Sequence, residues 1–221
     1  MAFGVLVTAV RGIWVAGTRR GALTGGMNAH PLAHIAVAAR RLVLIIGPIA
    51  SGKSTLADTV AGKLRSRGEA VTVVGLDTVA EMALPTLANW SWAHEVHGQL
   101  VGAWLEKPIP TVIAEGPETP EEIEQIMRHV GSDVSVRKVL ITTSYETALA
   151  RAIQDPTRGL SKDPVFLRRM YQRFELTRPD IAHDIQFDTN ELSSDDIAEQ
   201  VIEGLPKTAL GVGYGCEKTA P

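Results

Sequence analysis

Nine residues constrain this chain more than any other stretch: GPIASGKST, from Gly47 to Thr55, directly after the apolar run LVLII. The apolar run reads as a buried strand, and KSTLADTVAGKLRSRG reads as an amphipathic helix with Leu56, Val60 and Leu64 on one face. Gly47 and Gly52 let the backbone turn where a Cβ would clash, so several N–H groups can converge on one anion. The start of the helix adds its positive dipole end. The spacing G-x-x-x-x-G-K-[ST], set between a strand and a helix, is that of a phosphate cradle. On this reading Gly47, Pro48, Ile49, Ala50, Ser51, Gly52, Lys53, Ser54 and Thr55 form a nucleotide-binding loop. Lys53 reaches the β- and γ-phosphates, Ser54 offers its hydroxyl to Mg²⁺, and Thr55 touches the α-phosphate.

Beyond this loop, apolar runs and amphipathic runs alternate. Strands are expected at RLVLII, at AVTVVGLD ending in Asp77, at PTVIAEG ending in Glu115, at VRKVLITTS and at HDIQFDT. Helices are expected at ANWSWAHEVHGQLVGAWLE, YETALARAIQ, PVFLRRMYQRFEL and SSDDIAEQVIEGL. TPEEIEQIMRHV is also read as a helix, with Thr119 as N-cap and Pro120 at the first helical position, and Gly68 is read as a C-cap. Five strands alternating with helices predict an α/β fold, a parallel sheet covered on both faces. The expected domain spans 41–205, preceded by an extension over 1–40 and followed by a tail over 206–221.

With 45% apolar residues in 221, the chain can bury a full core. A net charge of −3 speaks against a nucleic-acid or membrane-surface binder. Cys216 is the sole cysteine, which excludes an internal disulfide and a cysteine metal site and fits a cytoplasmic setting. The first 26 residues hold three arginines, six glycines and no acid, and are read as an unstructured extension, with Met27 an alternative start.

Chemistry in such sheets gathers at the carboxyl ends of the strands. Two acids stand there. Asp77 and Glu115 are candidates to accept a hydroxyl proton, to face a substrate, or to hold Mg²⁺, against the plainer role of helix caps. The segment 151–178 carries seven basic residues against three acids, and its loop DPTRGLSKDP has the composition of a lid. Arg151 and Arg158 are the candidates to close over transferring phosphates. Lys162, Arg168 and Arg169 read as a solvated face. Trp90, Trp92 and Trp104 lie between the second and third strands, where Trp90 and Trp92 are candidates to contact a substrate. His94 and His97 lack a third ligand at a recognisable spacing and are read as ordinary helix residues.

GPIASGKST, the strand leading to Asp77, VIAEG and ARAIQDPTRGLSKDPVFLRRMYQRF together resemble the small P-loop kinases of the AAA-33 type, the group with chloramphenicol phosphotransferase and zeta-toxin kinases. The resemblance covers residues 41–205 and extends to nucleoside-monophosphate-kinase-like proteins. It implies a three-layer α/β/α sandwich with sheet order 2-3-1-4-5 and a helical lid. It implies ATP and Mg²⁺ as cofactors and a small-molecule hydroxyl as acceptor, with Asp77 as base or hydroxyl ligand and Arg151 and Arg158 as lid arginines. Where P-loop enzymes usually have an aspartate after the third strand, this chain has Glu115, so its contact with Mg²⁺ stays open between direct, water-mediated and substrate-facing. A nucleoside or nucleotide kinase, a toxin kinase and a switch ATPase with a protein partner remain the alternative readings. The oligomeric state stays open.

Overall fold

The computed structural model describes residues 40–83 and 89–207; the expected N-terminal extension, up to residue 39, and the tail beyond 207 lie outside them. Five strands form one parallel sheet: β1 (Arg41–Ile46), β2 (Val71–Gly75), β3 (Thr111–Glu115), β4 (Ser135–Thr142) and β5 (Ile185–Asp188). Their order is β2-β3-β1-β4-β5, the order the resemblance implies. Among the described residues seven α-helices accompany them: α1 (Lys53–Ser66), α2 (Leu76–Glu81), α3 (Ser91–Leu105), α4 (Pro120–Met127), α5 (Tyr145–Gln154), α6 (Pro164–Thr177) and α7 (Ser194–Glu203).

The period-2 alternation of each strand builds the layers. Leu42, Leu44 and Ile46 of β1 face one side, packing with Val112 and Ala114 of β3 and with residues of α2, α3, α4 and α6. Val43 and Ile45 face the other side, packing with Leu56, Val60 and Leu64 of α1 and Ile197 and Val201 of α7. Every residue of β1 is buried, as a central strand covered on both faces requires. Three layers result. A smaller cluster of Ala50, Ala148, Ala152, Leu167 and Tyr171 joins the glycine-rich loop to α5 and α6.

Local capping follows the sequence closely. Thr119 and Glu122 form a capping box at the start of α4. Gly68 adopts a left-handed φ of 83°, and the amides of Gly68 and Glu69 close the end of α1 on Arg65 and Leu64. Two boundaries differ from expectation. The second strand stops at Gly75, and Asp77 belongs to the first turn of α2. Leu76, Val79 and Ala80 are buried at helical spacing, so this short stretch satisfies its apolar residues better as a helix than as more strand. The next helix opens at Ser91 with Trp90 as its N-cap.

Candidate active site

Three loops leave the carboxyl edge of the sheet side by side. The parallel register sets Glu115 opposite both Ile45 and Gly75, so the ends of β1, β2 and β3 lie level. The amide of Gly47 donates to the carbonyl of Pro117 at 3.2 Å, tying the glycine-rich loop to the β3–α4 loop. A Cβ on Gly47 would run into the carbonyl oxygen of Ile141, and a Cβ on Gly116 would run into the side chain of Leu76. Both glycines are therefore demanded by close packing, Gly47 against β4 and Gly116 against the start of α2.

The glycine-rich loop has the form of an anion cradle. Gly52 adopts φ 100° and Ala50 φ 60°, so two turns of opposite sense to a helix precede α1. The first helical hydrogen bond runs from Leu56 N to Gly52 O at 2.9 Å, and the amides of Lys53, Ser54 and Thr55 precede it in the unpaired first turn. Lys53 Nζ folds back to donate to Gly47 O at 2.6 Å and Pro48 O at 3.0 Å. It also lies 3.7 Å from the Glu118 carboxylate. Ser54 Oγ donates to Glu115 Oε1 at 3.3 Å. A hydroxyl and a carboxylate oxygen at that separation are two hard donors at the cradle's mouth, a set that fits Mg²⁺.

Glu115 is only 6% exposed, and burial pushes its carboxyl above the usual carboxylate range, against the pull of Lys53. Glu118 is pushed up to about 7 by burial, with Glu122 and Asp77 adding to the rise and Lys53 and Arg173 opposing it. Asp77 is exposed at the start of α2, close enough to act on both carboxyls through space. Sequence reasoning singled out Asp77 and Glu115 but not Glu118. A glutamate just before an N-cap threonine looks like ordinary helix-start chemistry; the contact with the phosphate loop that buries it comes from the fold.

Two further side chains brace the loop. Arg151 of α5 donates to Ser51 O at 3.3 Å, and to Thr189 Oγ1 at 2.9 Å and Thr189 O at 3.0 Å beyond β5. Thr189 Oγ1 in turn donates to Ser51 O at 2.9 Å. Tyr171 of α6 donates to Ile49 O at 3.0 Å, and burial drives its phenol well above the usual range. Neither Thr189 nor Tyr171 carried a sequence signal. Arg158 is held within the lid by Asp155 at 3.2 Å, away from the loop contacts that Arg151 makes. Arg168 lies 4.1 Å from the Tyr145 ring centre and Arg169 over Phe166, which fits a surface face.

The aromatic residues separate. Trp90 stands at the start of α3, 39% exposed, one turn before His94, whose Nε2 lies 3.6 Å from Glu122. Trp92 packs partly buried against the core, its indole N–H without a partner among the described residues. Trp104 lies at the far end of α3, beside Leu105, whose carbonyl meets Arg40 at the start of β1, so it is remote from the site. His97 is buried with Nε2 3.0 Å from Val74 O, and burial lowers its pKa.

The sheet order and the cradle together define a P-loop nucleotide-binding fold. The chain belongs to the AAA domain family AAA_33, whose pattern matches residues 42–176. Solved structures of kinases share the architecture. The Mycobacterium tuberculosis APS kinase, in complex with AMPPNP and APS, is 16% identical with a TM-score of 0.53 over 75% of this chain and 96% of that one. A gluconokinase from Sinorhizobium meliloti 1021 is 13% identical, TM-score 0.53, over 75% of this chain and 91% of that one. The Acinetobacter baumannii shikimate kinase, in complex with shikimate, is 16% identical, TM-score 0.50, over 74% and 92% respectively. No curated protein matches the chain. No helix among the described residues is long and apolar enough to cross a membrane.

Proposed function

We propose that the protein is an ATP-dependent phosphotransferase that moves the γ-phosphate of Mg-ATP to a hydroxyl of a small molecule. The observation that carries this is the meeting of Lys53, Ser54, Glu115 and Asp77 at one sheet edge, around a glycine-rich loop that leads into the unpaired first turn of α1. Lys53 leaves the carbonyls of Gly47 and Pro48 to hold the β- and γ-phosphates. The first-turn amides of Lys53, Ser54 and Thr55 cradle the rest. Ser54 and Glu115 hold Mg²⁺, which when bound neutralises charge on the phosphates. Asp77 orients the acceptor hydroxyl and takes its proton as the oxygen attacks phosphorus and the bond to ADP breaks. Arg151 fixes the loop, and Arg158 comes in with the lid to meet the charge on the transferring group. Trp90 lies over the acceptor.

The test is transfer of label from γ-labelled ATP across a panel of nucleosides, sugars and hydroxylated antibiotics, with Lys53→Ala as control. Label on one compound class supports the phosphotransferase. ATP binding that depends on Lys53, with no acceptor-dependent transfer, would instead favour a nucleotide-dependent switch.

A further inference from the structure

On the phosphate side of the cleft stand the cations Lys53 and Arg151, the latter bound to Ser51 and Thr189, with the exposed Asp58 of α1 acting on Glu115 through space. On the acceptor side the balance reverses. Asp77 comes from α2, Glu115 from the end of β3, Glu118 from the β3–α4 loop and Glu122 from α4. From α3 comes His94, already against Glu122, and from α6 come the neutral phenol of Tyr171 and the exposed Arg173. Three of these four carboxylates have tasks. Glu115 meets Ser54, Asp77 faces the acceptor hydroxyl, and Glu122 accepts the amides of Glu118 at 2.7 Å and Thr119 at 3.3 Å.

Glu118 differs. Its carboxylate accepts no hydrogen bond among the described residues, and Lys53 at 3.7 Å is its ion-pair partner. Its side chain is only 16% exposed, so water compensates it poorly. Once Lys53 turns to the phosphates, a largely buried carboxylate is left beside the reacting centre with its nearest counter-charge withdrawn and only the more distant, exposed Arg173 opposing it. A hydroxy-acid acceptor would add negative charge to this wall, and a neutral polyol would leave it uncompensated.

We infer that Glu118 selects the acceptor by a positively charged nitrogen, so that the substrates are hydroxylated amines such as amino alcohols or amino sugars. This rests on the phosphotransferase reading, which makes the cleft beside Lys53 a ligand site on grounds that do not include Glu118. Glu118 binds the ammonium while Asp77 handles the hydroxyl, and the exposed indole of Trp90 offers an aromatic face on the same side.

The experiment loads the protein with Mg²⁺ and a non-hydrolysable ATP analogue, then titrates matched compounds by calorimetry. Ethanolamine and 3-aminopropanol, both charged at pH 8, are set against ethylene glycol and 1,3-propanediol, and against glycolate and 3-hydroxypropionate. The amines are expected to bind at least about tenfold more tightly than their neutral partners at pH 8. That advantage should shrink as the pH falls and Glu118 takes up its proton. It should vanish in Glu118→Gln, with analogue binding retained. The inference is overturned if neutral or acidic compounds bind as well as the amines. It is equally overturned if neither series binds the loaded protein, or if the amine advantage survives Glu118→Gln. Failure to bind the analogue at all would bring down the phosphotransferase reading itself, and this inference with it.

Discussion

Lys53 Nζ lies 3.7 Å from the Glu118 carboxylate while donating to two carbonyls of its own loop, those of Gly47 and Pro48. The lysine's charge is therefore satisfied internally in the free protein, and on the proposed function nucleotide phosphates draw it away. Lys53→Ala removes both the internal contacts and the phosphate contact. ATP affinity should fall by about a hundredfold or more, as loss of a charge-assisted contact to phosphate implies. Stability should fall only modestly, by about 1–2 kcal/mol, because the loop carbonyls can turn to water. Calorimetric titration and thermal melts separate the two effects. Unchanged ATP affinity would remove Lys53 from the phosphate site.

Glu118 makes stability depend on pH in a defined direction. Its pKa in the folded chain is about 7 against an ordinary 4.5, so the folded chain holds more protons between those values. Stability is then fully present below about pH 4.5, is lost as pH rises towards 7, and levels off above. The ceiling on the loss is about 3 kcal/mol. Glu118→Gln cannot ionise, so it should melt several degrees above wild type at pH 8 and close to it near pH 5. A melting difference that stays constant across pH would mean the carboxyl titrates normally.

The parts legible in the sequence were those set locally. The five apolar residues of β1, the capping box at Thr119 and the turn at Gly68 each depend on neighbours a few positions away. The sheet order came from resemblance, since five similar strands do not declare their neighbours. The short helix α2 was hidden because six residues give little periodicity, and VVGLD reads continuously as strand. Glu118, Thr189 and Tyr171 were invisible for another reason. Each owes its place at the phosphate loop to a partner at least 65 residues away in the chain, as the 122 residues between Tyr171 and Ile49 illustrate.

Two glycines should respond oppositely to alanine. Gly116 has φ 133°, and its Cβ would collide with Leu76, the first residue of the helix that carries Asp77. Gly116→Ala should cost about 2–3 kcal/mol by forced displacement and disturb transfer as well. Gly62, exposed within α1, has nothing within 4 Å of its Cβ position. Gly62→Ala should stabilise by about 0.5–1 kcal/mol and leave ATP affinity alone. Denaturant unfolding of both variants checks the contrast, and equal effects would contradict it.

Asp77 is exposed and borders the cradle without touching Lys53, so its removal need not disturb nucleotide binding. Asp77→Asn keeps the shape and loses the proton acceptor. It should bind ATP as wild type does, while transfer falls by about 10²–10⁴-fold. Single-turnover transfer with a compound found in the panel measures this. Normal turnover in the variant would move the base elsewhere, with Glu118 the next carboxylate to test.

Arg151 and Thr189 act on Ser51 as one unit. The guanidinium reaches Ser51 O and both oxygens of Thr189, and the threonine hydroxyl reaches Ser51 O as well. The shared carbonyl lies next to Gly52, the last residue before the phosphate-binding helix, so the pair fixes the entry to the cradle. Arg151→Ala should cost about 2 kcal/mol of stability and loosen ATP binding through the loop, and Arg151→Lys should recover only part of this because an ammonium cannot span three acceptors as a planar fork does. Thr189→Val should cost about 1 kcal/mol. The double variant should cost clearly less than the sum, since each single change already unhooks Ser51 from the same brace. Additive losses in both stability and ATP affinity would show instead that the two side chains support the loop separately.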